Sequence, residues 1–132
     1  MIRTIQKEIK LAVLIHKLDK RVSEVVRRSA ADDRGYVLCI SCPCKVHWSE
    51  ADCAHFIDRG HMNTRFNLLN LAPSCRFCNR LDEDHHKTKW AEKLGPDMVA
   101  YLEAEGRSLR KLMRYELEKG IELMSQKLNE LR

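Results

Sequence analysis

Two pairs of cysteines, Cys39-Ile-Ser-Cys42 and Cys75-Arg-Phe-Cys78, separated by 32 residues, constrain this chain more than any other feature. Each CxxC turn aims two thiolates at one ion, and two such turns complete a closed, tetrahedral zinc site. Disulfides are the competing use of an even cysteine count. The N-terminal MIRTIQKEIK places charges where a signal peptide would carry its apolar core, so the expectation is a cytoplasmic protein, where disulfides rarely persist. The pattern therefore predicts a structural Zn2+ on Cys39, Cys42, Cys75 and Cys78, the first pair on a knuckle and the second at the start of a helix. Such binding contributes on the order of 10 kcal/mol to folding and offsets what a small central core lacks. Cys44 is a substitute ligand made awkward by Pro43, and Cys53 reads as a buried small side chain.

With 132 residues the chain makes one domain, 1–132, and its longest uninterrupted apolar stretch, Leu11 to Ile15, excludes a membrane partner by span. Three textures follow one another. Residues 4–30 lack Gly and Pro and place Ile5, Ile9, Ala12, Ile15, Leu18, Val22, Val25 and Val26 at helical spacing, which makes 1–30 a long basic amphipathic helix. Residues 36–95 hold all the cysteines, both tryptophans and little helical periodicity before Pro73, so short strands and loops are expected there. The periodicity returns over 97–132, predicting a short helix near 97–105 and a longer one from about 108 to 131, with Gly120 a weak point. The fold class is α+β, mostly helical. Apolar surface left over on these helices permits a homodimer.

The net charge of +5 is unevenly spread: residues 1–30 carry eight basic and three acidic groups, while 31–96 carry nine of each and 97–132 seven of each. A basic surface is the usual footprint of a polyanion partner. On the first helix Lys7, Lys10, Lys17, Lys20, Arg21, Arg27 and Arg28 lie off the apolar stripe, so the helix can cover a core on one side and approach DNA phosphates on the other. Arg59, His61 and Arg65 are further candidates for phosphate contacts. His85-His86 reads as a solvated turn, and Trp48 and Trp90 as core.

Between and after the cysteine pairs lie Asp52-Cys53-Ala54-His55-Phe56, then Asn70, then Asn79 directly after Cys78. That order resembles the zinc-bearing HNH nucleases, also called His-Me finger or ββα-metal nucleases, whose small core is of treble-clef type. Leu18-Asp19-Lys20, Val22-Ser23, Arg27-Arg28, Gly35-Tyr36, the Asp52-to-His55 segment and Arg65-Phe66-Asn67 extend the match, over roughly residues 15–106, to the phage lambda NinG family, also called Rap. Phage endonuclease VII is similar in layout only.

The resemblance implies a metal-dependent endonuclease for branched recombination intermediates such as Holliday junctions and D-loops, located in the host-cell cytoplasm if phage-encoded. It implies His55 as general base, Asn70 holding the His-bearing hairpin and orienting the imidazole, and Asn79 as a ligand of a catalytic Mg2+ or Mn2+. Many members carry Asp or His directly before the catalytic His, where this chain has Ala54. Two carboxylates are candidates for the missing ligand. Asp52 points to the opposite face from His55 in an ideal strand, so a bend or bulge is expected. Glu83 stands four residues after Asn79, one turn along the same helix face. The competing expectation is a zinc-stapled binding module without catalysis, and a third is a general nicking nuclease without branch preference.

Overall fold

The structure, a computed structural model, describes residues 2–131, the Ile9 side chain excepted; Met1 and Arg132 lie outside the described residues. The chain is α+β and mostly helical, with two small antiparallel hairpins between a long first helix and four later ones. Helix α1 spans Ile2–Ser29. Its buried seam is made by Leu11, Leu14, Ile15, Leu18, Val22 and Val25, while Ile5 and Ala12 of the expected stripe are exposed. The seam starts late because residues 2–8 and Lys10 are exposed, and packing begins only at Leu11, where α1 meets the cluster shared with the final helix. In this packing Leu18, Val22, Leu71 and Leu117 form one dry cluster, flanked by Ile121 and Met124.

Strands β1 (Tyr36–Leu38) and β2 (Lys45–His47) pair in register, with Val37 opposite Val46. Gly35 starts this hairpin at φ +86°, and a Cβ there would meet His47 Nε2 at 2.6 Å, so only glycine fits the turn. The loop of the hairpin carries Cys39 and Cys42. Strand β3 (Asp52–His55) pairs with β4 (Leu71–Ser74) from Asp52 opposite Ser74 to His55 opposite Leu71. The 15 residues between them contain the short helix α2 (Met62–Arg65) and a 3-10 turn at Leu68–Asn70. Helix α3 (Arg76–Leu81) follows β4 directly, with Cys75 at its N-cap, so the second cysteine pair does open a helix.

Four expectations are corrected downstream. Helix α3 stops at Leu81, and α4 (Glu83–Leu94) begins after Asp82, whose φ −136° and ψ 51° are not helical. Glu83 is therefore not one turn on from Asn79; it is an exposed first-turn residue of another helix. The pair His85-His86 lies in α4 and not in a turn, and His86 is buried. Trp90 is core, packed with Ala54, Phe56, Ala72 and Leu102, whereas Trp48 is only half-buried beneath the guanidinium groups of Arg27 and Arg28. Helix α5 is Pro96–Gly106, close to expectation, but the last helix, α6, is Arg114–Glu130 and does not begin at 108.

The delay has a physical source. Residues 107–113 run as a non-helical strap, held where the Asn63 side-chain amide donates to the Ser108 carbonyl at 2.6 Å. The Met113 N–H donates to the Glu116 carboxylate at 2.7 Å, which caps α6 only there. Gly120 does not interrupt α6. It lets Leu18 of α1 approach so closely that a Cβ would stand 3.2 Å from both Leu18 methyl carbons. Among the described residues no helix is long and apolar enough to cross a membrane.

Candidate functional site

The thiolates of Cys39, Cys42, Cys75 and Cys78 all lie within 4.8 Å of one another, and Cys42 Sγ stands 3.8 Å from Cys75 Sγ. Sulfurs bound tetrahedrally at about 2.3 Å from a zinc ion lie about 3.8 Å apart, so the donor set can hold zinc. Burial pushes the Cys42 thiol up to about 12 and raises that of Cys78, whereas the donors around Cys39 favour its ionised sulfur. Burial alone would push the Cys39 thiol up, but the N–H groups of Cys75 and Ser41 and the hydroxyls of Ser41 and Ser74 bring it down to about 5. The Cys39 N–H donates to the Cys44 carbonyl at 2.9 Å, which closes the knuckle, and the Ile40 N–H donates to the Pro73 carbonyl at 3.1 Å, which ties it to β4. Cys44 is exposed and its thiol stands outside the four-sulfur group. Behind the knuckle, Ser41 Oγ and His86 Nδ1 are 2.5 Å apart, and His86 Nε2 is buried without a partner.

Beside this cluster a cavity of about 950 Å³ runs between α1 and the β3–β4–α3 unit. Strand β3 pairs only with β4, so its other edge is open to this groove, and residues from both of its faces reach the lining. Asp52, Cys53 and His55 all do so, with Asn79 and Arg80 from α3. The strand is regular over Asp52–His55, so the bend expected to bring Asp52 and His55 to one site is absent and not required. The Asp52 carboxylate accepts from Arg80 Nε and Nη2, both at 2.8 Å, and from Asn79 Nδ2 at 3.0 Å. Burial opposes its ionisation, yet Arg80 and Asn79 hold it below the usual carboxylate range. Burial keeps the His55 imidazole below its ordinary value, and the positive charge of Arg59 acts in the same direction, so the ring is neutral at pH 7. Cys53, next to it, is a poor nucleophile because burial pushes its thiol up to about 12.

Asn70 is fully buried and clamps the loop after β3. Its side-chain oxygen accepts from the Ile57 N–H at 2.7 Å, and its amide donates to the Ile57 and Thr64 carbonyls, each at 3.0 Å. Those bonds hold the hairpin; none goes to the His55 ring, so an orienting bond from Asn70 to the imidazole is not part of this geometry. Arg59 and Arg65 stand at the groove, both engaged by Asp19 of α1. Arg65 Nε and Nη2 reach the two Asp19 oxygens at 3.0 and 2.6 Å, and Arg59 Nη2 reaches one at 2.9 Å.

The remaining candidates divide. Arg21 lines the groove, but Lys17 does not, and Arg28 lies over Trp48 and pairs with Glu24 at 3.6 Å. His61 faces away from the groove, with Nδ1 3.1 Å from the Gly106 carbonyl oxygen, because it precedes α2 on the side toward α5. Glu83 is outside the lining for the helix break already described. Among the described residues the four cysteines are the one group of His, Cys, Asp or Glu close enough to share a metal. Asp52, His55 and Glu83 therefore form no second one.

Sequence reading gave no role to Asp19, His16 or Arg80, which also line the groove. Arg80 directly follows Asn79 and faces Asp52 across 28 residues, a pairing no local pattern displays. No model of a known protein family matches this chain, and no curated protein and no solved structure matches it either.

Proposed function

We propose that this protein is a zinc-stapled, HNH-type, metal-dependent DNA endonuclease, related to the NinG family, that cuts branched recombination intermediates such as Holliday junctions and D-loops. The observation that supports the reading is one groove whose lining holds His55, Asp52 and Asn79 together with Lys20, Arg21, Arg27, Arg59, Arg65 and Arg80, against the acids Asp19, Glu24 and Asp58. In the proposed reaction His55 takes the proton of a water whose oxygen attacks the phosphorus, while the bond to the 3′ oxygen breaks, leaving a 5′-phosphate and a 3′-hydroxyl. General-base assistance of this kind is worth about 10²–10⁴ in rate.

Asp52 and the Asn79 side-chain oxygen are the residues that would hold Mg2+ or Mn2+, and to do so Arg80 and the Asn79 amide nitrogen, which donate to the Asp52 oxygens here, would have to turn away. Bound there, the ion supplies charge neutralisation at the phosphate and the leaving oxygen. Arg59, held by Asp19 through Nη2 alone, keeps donors for a phosphate flanking the cut, whereas the Nε and Nη2 fork of Arg65 is already taken by Asp19 and fixes the loop instead. Asn70 fixes the loop that carries Arg59, and Asp19 fixes the angle of both arginines.

One observation favours a second reading, a non-catalytic DNA-binding module: Arg80 already occupies both oxygens of Asp52. The two separate in cleavage of a labelled four-way junction and its matched linear duplex at physiological salt. Wild type and His55→Ala, zinc-loaded and folded, are compared with and without added Mg2+ or Mn2+. Metal-dependent cuts near the branch that vanish in His55→Ala support the nuclease. Equal binding by both proteins with no cut under any metal overturns it in favour of the module, and equal cutting of both substrates leaves a nuclease without branch preference.

A further inference from the structure

Helix α1 carries eight cations, six of which, Arg3, Lys7, Lys10, Lys17, Arg21 and Arg28, fall within an arc of about 80° at 3.6 residues per turn. They form one stripe along a rod of about 42 Å, as long as about twelve base pairs of duplex. Among the described residues the ion pairs of α1 are Arg28 with Glu24 and Asp19 with Arg59 and Arg65. Arg3, Lys7, Lys10, Lys17 and Arg21 have no carboxylate partner. By contrast α6 pairs two of its three cations with its own acids, Arg114 with Glu118 and Lys119 with Glu122. A row of unneutralised cations on one helix is costly unless a polyanion lies along it. Residues 2–8 and Lys10 are exposed, so three of these cations sit on a stretch of helix that covers no core. Arg21 belongs both to the stripe and to the lining of the groove, which makes the two surfaces continuous.

We infer that α1 is a phosphate-tracking arm: its projecting half, through Arg3, Lys7 and Lys10, holds the duplex that leads away from the groove, so affinity depends on the length of that duplex. The inference rests on the DNA reading above and adds to it a requirement on the substrate's arms. Chain neutralisation of phosphates releases counterions, so each lost contact lowers the slope of log K against log salt by about 0.9.

The test compares wild type with the triple variant Arg3→Gln, Lys7→Gln, Lys10→Gln, whose exposed sites leave the core untouched, a point checked by circular dichroism. Binding is measured against salt, without added Mg2+ or Mn2+, to hairpin-capped duplexes of about 6 and about 20 base pairs and to anionic phospholipid vesicles. The expected result is a loss of about 2 to 3 in the slope on the long duplex and no change on the short one. Equal slopes for the two proteins on both lengths overturn the arm. So does a variant that loses vesicle binding, or self-association, while its DNA slopes stay unchanged. Junction cleavage, assayed in parallel, reports on the nuclease separately: if wild type fails to cut while the slope still falls, the arm stands and the catalytic reading is lost.

Discussion

The two hairpins of this molecule are nearly the same size and are held by different forces. Hairpin β1–β2 has three paired positions, and its outer residues Tyr36 and Leu38 are about half exposed. Its loop carries Cys39 and Cys42, half of the four-sulfur group that could hold a metal ion. Hairpin β3–β4 has four paired positions and a dry underside, where Ala54 and Ala72 pack with Trp90, Phe56 and Leu102. Its long loop is closed by a buried asparagine. The first is a device for placing metal ligands, the second a device for placing His55 and Asp52. The difference teaches that metal binding and candidate chemistry in this chain rest on separable supports, joined through β4 and α3.

The largest effect that tests this separation is removal of the metal. Cys39→Ser, or a strong chelator, takes away a contribution on the order of 10 kcal/mol, comparable with the whole stability of a domain this size. Circular dichroism should show the strand signal of the first hairpin lost while the helical signal persists, since α1 and α6 pack with Leu71 of the second hairpin in an apolar cluster that contains none of the four thiols. Bound zinc, counted by a colorimetric chelator, should fall from one per chain to near none. A melting temperature that chelation leaves in place would sink the idea that thiolates hold the first hairpin.

Trp90→Ala should act first on the other hairpin, reaching the knuckle only through His86 and Ile40, which also touch the Trp90 cluster. Trp90 is 2% exposed and meets Phe56 edge-on with ring centroids 5.5 Å apart, so truncation opens a large cavity beneath β3. A loss of about 3–5 kcal/mol is expected, read as an earlier denaturant midpoint, with one zinc per chain retained. Zinc loss in step with stability would show that the two supports are one.

How much of this was legible beforehand follows the same division. The cysteine pairs announce themselves because each supplies two ligands within one turn, and Cys75 opens a helix as that pattern implies. The seam of α1 was legible in kind but set too near the N-terminus, because periodicity says which face is apolar and not where a neighbour begins. The break at Asp82 left no Gly or Pro as a signal, and it removed Glu83 from the face of Asn79. His86 looked solvated because its partner, Ser41, lies 45 residues away. Asp19 was quoted only as part of a resemblance, and its hold on Arg65 spans 46 residues. Side chains that act through distant pairs are fixed by packing geometry, which neither spacing nor composition encodes.

The smallest effect sharpens the comparison at the second hairpin, where the environment of His55 should be read in a pH profile. A neutral imidazole is the active form of a general base, so the cleavage rate should rise with pH and level off above a midpoint below the ordinary imidazole value of about 6.5. Burial is the main cause of that displacement and the Arg59 charge a lesser one. Removing the charge by Arg59→Gln makes protonated His55 less unfavourable, so the midpoint should move upward, while Arg59→Lys should leave it near the wild-type position. Arg59 is 58% exposed, so the difference between the two variants should shrink as salt screens it. The rate plateau can fall in both variants through lost phosphate contacts without disturbing the midpoint, which belongs to the titrating group alone. A midpoint that moves equally in the Gln and Lys variants would mean that Arg59 sets the loop around His55 by shape; one that moves in neither would remove His55 from the rate-limiting proton transfer.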